Sequence, residues 1–175
     1  YMTLRLCSIL KTAGLETEIE KTILDSFKYL RGHKNYETAL DIGSAGIIAL
    51  GKMKTDKSYE IIKRHMYHYR VKDSALLAIM NFNKDEVKNI LERSFYSEPE
   101  PIKSKIAEYF YRTGKFDLFI KNLKSPSDII RFISIKYASI SGNSDLKKAL
   151  KQAFEQEYAH SKWKSIYEKA VHGKL

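Results

Sequence analysis

Residues 42–54 read IGSAGIIALGKMK. Apolar residues recur in this stretch at steps of three and four, which is the period of a helix buried on one side. Small residues stand among them, as they do where two helix backbones approach closely. The stretch has counterparts along the whole chain. Thirteen-residue segments of the same kind begin at Met2 (MTLRLCSILKTAG), Val71 (VKDSALLAIMNFN), Ile102 (IKSKIAEYFYRTG), Ile130 (IRFISIKYASISG) and Ser161 (SKWKSIYEKAVHG). The spacings between the six starts are 40, 29, 31, 28 and 31 residues. Small or apolar residues fill the fifth position (Leu6, Gly46, Ala75, Ile106, Ser134) and the eighth (Ile9, Ala49, Ala78, Tyr109, Tyr137). The thirteenth holds Gly14, Asn83, Gly114, Gly142 and Gly173, with Lys54 the exception. Gly and Asn suit that slot because helices often stop in a left-handed residue, which these two tolerate best.

Between the segments lies a second set of helical patterns, at residues 16–30, 58–68, 85–96, 117–123 and 145–158. Three of them open on an acid (Asp85, Asp117, Asp145), which complements the positive end of the helix dipole. Almost nothing alternates with the period of a strand. The fold class expected is all-α, built from a helix–turn–helix unit of about thirty residues repeated about five times, with one extra helix leading. Self-similarity at such a period marks stacked arrays, in which each unit buries its apolar face only against its neighbours.

Composition agrees with a packed chain. The protein has 175 residues, 43% hydrophobic and 30% charged, which is too apolar for a disordered segment. Its single cysteine, Cys7, excludes an internal disulfide, and one Cys with five scattered His suggests no zinc site of the usual kind. The longest weakly polar run, residues 42–51, is about half of what a bilayer crossing needs, so no membrane-spanning segment is expected. The net charge is +10 and is spread evenly. Residues 1–88 carry 15 basic and 11 acidic groups, and residues 89–175 carry 16 and 10. Such a bias favours acidic partners without choosing among protein, nucleic acid and anionic surfaces.

The run Ala49-Leu50-Gly51-Lys52-Met53 resembles the second-helix signature of HEAT repeats, in particular the short bacterial and archaeal HEAT-like type. The starts Val71-Lys72, Ile102-Lys103 and Ile130-Arg131 resemble that family's Val-Arg dipeptide, and the resemblance covers essentially the whole chain. The chain departs from the pattern in three places. His68 and Tyr69 replace the acid that usually precedes the dipeptide, Pro99 and Pro101 interrupt the equivalent stretch of another repeat, and Ser161-Lys162 opens the last segment as a capping repeat would. Neither the Thr-Pro-Leu-His turn of ankyrin repeats nor the Trp-Leu-Gly-Tyr pattern of tetratricopeptides is present. The resemblance implies an α-solenoid of about five HEAT-like repeats wound as a right-handed superhelix, forming one repeat domain over residues 1–175. The segment at Met2 resembles a second helix without its first. The chain is therefore expected to be a module of a longer protein, or to open on an N-terminal cap. A cytoplasmic location is expected, with tethering through an upstream segment as the alternative.

Several constellations bear on chemistry. His65 and His68, three residues apart, share a helix face, but no carboxylate or Cys stands one turn away on that face, so no metal is expected. Cys7, among Leu4, Leu6, Ile9 and Leu10, reads as a small core residue rather than a nucleophile. The piece Gly43-Ser44-Ala45-Gly46 lacks the Gly-Lys-Ser/Thr ending of a phosphate loop. Tyr109, Tyr111, Tyr137, Tyr158 and Tyr167, from a total of 12 tyrosines, read mainly as inter-repeat core, with stacking platforms or interface anchors as the alternative. The sharpest candidate is a basic ladder. The second slot of successive segments reads Lys72, Lys103, Arg131 and Lys162, and stacked repeats set equivalent positions on the order of 10 Å apart. With Lys105, Arg112 and Lys164 these form a candidate anion-binding stripe; the alternative is a solvated or internally paired row.

An extended curved surface suits macromolecular binding better than turnover of a small substrate. The expected function is a non-enzymatic scaffold for a protein partner, with an acidic partner surface favoured and no cofactor. The alternative is nucleic-acid binding through the basic stripe. HEAT-like DNA glycosylases and bilin lyases show that enzymes use such arrays, but no Asp flanked by paired Trp can be matched when Trp163 is the sole Trp.

Overall fold

The structure, a computed structural model, describes residues 14–29 and 36–175. The segment at Met2, with Cys7 and Thr3, lies outside the described residues. Ten helices and no strand occur among the described residues. The chain divides into two compact units, Tyr1–Asn89 and Ile90–Leu175, and the division falls within the fifth helix.

The first unit contains α1 (Glu16–Tyr29), α2 (Tyr36–Met53), α3 (Asp56–His65), α4 (Lys72–Ile79) and the start of α5 (Asp85–Ser97). In α1 the buried residues Ile19, Ile23 and Ser26 are spaced four and three apart, and Glu16 and Glu18 stand at its positive end. Helices α1 to α4 each pack on the next, and α1 packs on α3 and α2 on α4 as well. Glycines set the closest approaches. A Cβ at Gly46 would sit 2.6 Å from Ile23 Cγ1, and one at Gly43 would sit 3.0 Å from Phe27 Cε1. The Gly-Ser-Ala-Gly piece is thus where α2 presses on α1.

Helix α2 stops at Lys54, which adopts the left-handed conformation with φ 57°. Thr55 then caps α3. Its hydroxyl accepts from Ser58 N at 3.0 Å while Ser58 Oγ accepts from Thr55 N, the reciprocal capping box. The buried Glu16 accepts from Thr55 Oγ1 at 2.8 Å and from Gly14 N at 2.9 Å, which ties the starts of α1 and α3 together. Helix α4 is shorter than its thirteen-residue segment. The Asn81 side chain donates to Ala78 O at 3.1 Å, and backbone N–H groups of Asn81 and Phe82 close tight turns on Ala78 O and Ile79 O. A side chain that competes for a backbone carbonyl ends the helix there, and Asn83 is not the left-handed stop that the spacing predicts.

The second unit contains the rest of α5, then α6 (Glu100–Arg112), α7 (Asp117–Asn122), α8 (Asp128–Ile140), α9 (Ser144–Glu155) and α10 (Lys162–Val171). Pro99 and Pro101 occupy the N-cap and first turn of α6, where a missing N–H costs nothing. Gly114 and Gly173 end α6 and α10 with φ of 70° and 67°, as their slot predicts, whereas Gly142 has no positive φ. Asn143 and Ser161 cap α9 and α10 by accepting from Leu146 N and Trp163 N. Helix α8 is central. It packs on α6, α7, α9 and α10, and α7 also packs on α9. Phe119, Ile135, Leu146 and Tyr167 are fully buried there, and Tyr167 donates its hydroxyl to Leu123 O. Among the described residues no helix is long and apolar enough to cross a membrane.

Candidate functional site

The seven cations of the ladder have diverse surroundings. Lys72, half-buried, begins α4 in the first unit. Lys103 is buried and its ammonium donates to Glu98 O. Lys105 is exposed beside Glu108 at 3.3 Å, and Arg112 is exposed at the end of α6. Arg131 pairs with Glu157 and lies against the rings of Trp163 (4.6 Å) and Tyr167 (5.3 Å). Lys162 pairs with Asp128, and Lys164 sits 4.1 Å above the Phe154 ring while donating to Phe154 O at 2.8 Å. Arg131, Lys162 and Lys164 therefore gather where α10 meets its neighbours. Lys103 and Arg131 direct their charge inward. The reason is physical: a long stem covers apolar surface, and a half-buried cation must find a carbonyl, a carboxylate or a ring.

What these cations leave open is the outward side of α8. Tyr111 of α6 packs on Tyr137 at 5.1 Å between ring centres and donates to Ile140 O at 3.3 Å. On α10, Trp163 and Tyr167 meet Arg131. Ile129, Phe132, Lys136 and Ile140 follow one another at steps of three and four, on one face of α8, and all are exposed. Ile129 is 42% exposed, Phe132 43% and Ile140 54%. Single exposed apolar residues are ordinary, but three along one helix face form a patch. Lys136 lies within it, and Arg112 of α6 and Lys169 of α10 are exposed on two of the four helices that pack against α8. The ladder of charged slots does not reveal these apolar residues, because Ile129 and Phe132 only border a slot defined by its charge. The available signal was that apolar residues in 129–140 surround more of the helix than one buried face needs.

The titratable groups with displaced pKa values are dispersed. Burial raises the Tyr137 phenol, with Glu108 and Tyr111 adding to it. Burial also raises Tyr167, and Arg131 opposes it. In the first unit burial depresses His65 against the opposing pull of Glu20, 3.7 Å from its Nε2. Burial and Arg70 depress His68, which stacks on Phe27 at 4.2 Å. Glu20 is itself held by Arg64, whose Nη2 donates at 2.8 and 2.9 Å. Among the described residues no three His, Cys, Asp or Glu side chains gather as metal ligands. Compared with protein-family models, with curated protein sequences and with solved structures, the chain matches none.

Proposed function

We propose that the chain is a non-enzymatic interaction scaffold, an α-solenoid of about five HEAT-like helix pairs, whose α8 face docks an acidic protein partner. The observation that carries the reading is the exposed row Ile129, Phe132 and Ile140 with Lys136 in line and Arg112 and Lys169 on the adjoining helices. Exposed apolar residues interspersed with and flanked by cations suit a protein interface, and those cations favour an acidic partner. The solenoid reading draws support from the packing order within each unit, where contacts run to the next helix and the next but one. Phosphate binding through the seven ladder cations draws less, since Lys103 and Arg131 are engaged inside the fold.

The test is affinity capture by the immobilised chain, run beside an Ile129→Glu/Phe132→Glu variant. Both positions are exposed, so the variant should unfold within about 0.5 kcal/mol of the parent. The reading expects an acidic protein retained by the parent and lost by the variant. Retention of the same protein by both would remove α8 as the docking face.

A further inference from the structure

The turn between α3 and α4 carries two of the most exposed aromatic side chains among the described residues, Tyr67 at 86% and Tyr69 at 72%. Tyr69 is not a loose side chain. Its ring lies 5.5 Å from that of His68 with 13° between planes, and His68 lies 4.2 Å from Phe27 of α1 with 3° between planes. Three nearly parallel rings thus run from the α1 surface outward, and the last of them faces solvent. Arg70 holds that ring near its hydroxyl: the guanidinium carbon lies over the ring at 5.1 Å from the centroid, Nε donates to Tyr69 Oη at 2.6 Å, and Nη1 reaches Phe27 O at 3.4 Å. Residues 61–72 contain Lys63, Arg64, Arg70 and Lys72 and no Asp or Glu. Glu86 and Glu20 answer Lys63 and Arg64 from other helices, while Arg70 stays with the aromatic stack.

We infer that this turn is a stacking site for single-stranded nucleic acid, in which an unpaired base lies on Tyr69, a second engages Tyr67, and the intervening phosphate meets Arg70. A pre-stacked, exposed aromatic face beside a guanidinium is the arrangement that sequence-tolerant single-strand binders use. Duplex bases keep their faces buried in their own stack, so they gain nothing from Tyr69. A protein anchor is disfavoured by the surroundings. Anchoring tyrosines sit in an apolar interface core, whereas the one apolar sequence neighbour of Tyr67 and Tyr69 in the turn, Met66, is buried and the others are His68 and Arg70.

The experiment is fluorescence anisotropy of the full chain with labelled oligodeoxythymidine, labelled oligouridine and a duplex of equal length, over a salt series. The expected result is single-strand binding that weakens as salt rises and exceeds duplex binding. Tyr67→Ala/Tyr69→Ala should weaken it by about tenfold or more, because each substitution takes away the ring on which one base stacks. Tyr69→Phe, which keeps the ring, should stay near the parent. Thermal melting of each variant shows that the fold is intact, and both tyrosines are exposed enough for that to hold. Equal or better duplex binding, unchanged affinity in the double Ala variant, or no binding at low salt each overturns the inference. So does loss of a captured protein in the double Ala variant without any nucleic-acid binding, which assigns the turn to a protein partner. Phe132→Glu on α8 should leave oligonucleotide affinity unchanged, so this site and the α8 docking face fail separately.

Discussion

At Gly51 the α2 backbone lies directly against Ala78 of α4. A Cβ at position 51 would stand 2.8 Å from Ala78 Cβ and 3.0 Å from its Cα and carbonyl oxygen. Gly51→Ala should therefore destabilise the protein by about 1–3 kcal/mol in denaturant unfolding, the cost of overpacking a tight contact. Adding Ala78→Gly should restore only part of the loss, because two of the three close atoms are backbone. Gly142 is the contrast. Nothing lies within 4 Å of its absent Cβ and its φ is not positive, so Gly142→Ala should stabilise by about 0.4–1 kcal/mol through the unfolded chain. Lys54 poses the inverse case. It holds a left-handed φ of 57° in a slot where Gly114 and Gly173 take the same region without strain. Lys54→Gly should raise stability by about 1 kcal/mol, the relief of a side chain held in that region less the added freedom of the unfolded glycine. A loss of stability on this substitution would mean that the Lys54 side chain is tied down more firmly than its backbone is strained.

At the level of elements, the end of α3 should make stability depend on pH. Burial holds His65 and His68 below the ordinary value of 6.5; at His65 Glu20 on α1 opposes it while His68 and Arg64 deepen it, and at His68 Arg70 deepens it. The unfolded chain then binds protons before the folded one does. Stability is fully present above about pH 6.5 and falls as the pH drops through it toward the lower folded values. The carboxylates Glu16 and Glu86, both lowered, act in a separate and more acidic window, below the ordinary value of 4.5. Melting points measured from about pH 7.5 to 5.5 should decline, and His68→Phe, which keeps a ring on Phe27, should flatten part of the slope. A parent profile that is flat over that range would show that the imidazoles keep their solvent access. This dependence was not legible in the sequence. Spacing put His65 and His68 on one helix face, whereas α3 stops at His65 and leaves His68 in the turn beyond it, and only tertiary packing brings Glu20 onto His65 and Phe27 onto His68. The same division holds elsewhere. Helical period and the thirteenth-slot residues located most of the described helices and the left-handed stops at Gly114 and Gly173, because both signals are local. The partners of the ladder cations were not readable, since Arg131 meets Glu157 from 26 residues away and Lys103 turns back onto a backbone carbonyl.

For the whole molecule, the question is how far a local insult travels. In the first unit contacts run from α1 to α2 and α3, and from α2 to α3 and α4; in the second they run from α7 to α8 and α9, and from α8 to α9 and α10. If the chain is the linear array proposed, its stability is a sum of helix-pair terms and nearest-neighbour interfaces. A defect between α2 and α4 then lowers the free energy of opening nearby and leaves distant pairs protected. Native-state hydrogen exchange on Gly51→Ala should show faster exchange of the buried amides of α1–α4, with those of α7–α10 close to the parent. An equal rise in all ten helices would describe one cooperative body instead, and the array reading would fail with it. A reciprocal variant sharpens the result. Tyr167→Phe removes the hydroxyl donated to Leu123 O, leaves that carbonyl short of a buried partner, and should cost about 1–3 kcal/mol. Its exchange should quicken in α7–α10 and spare α1–α4. Two variants with opposite footprints are what a nearest-neighbour array requires, because each interface reports only on the helices that form it.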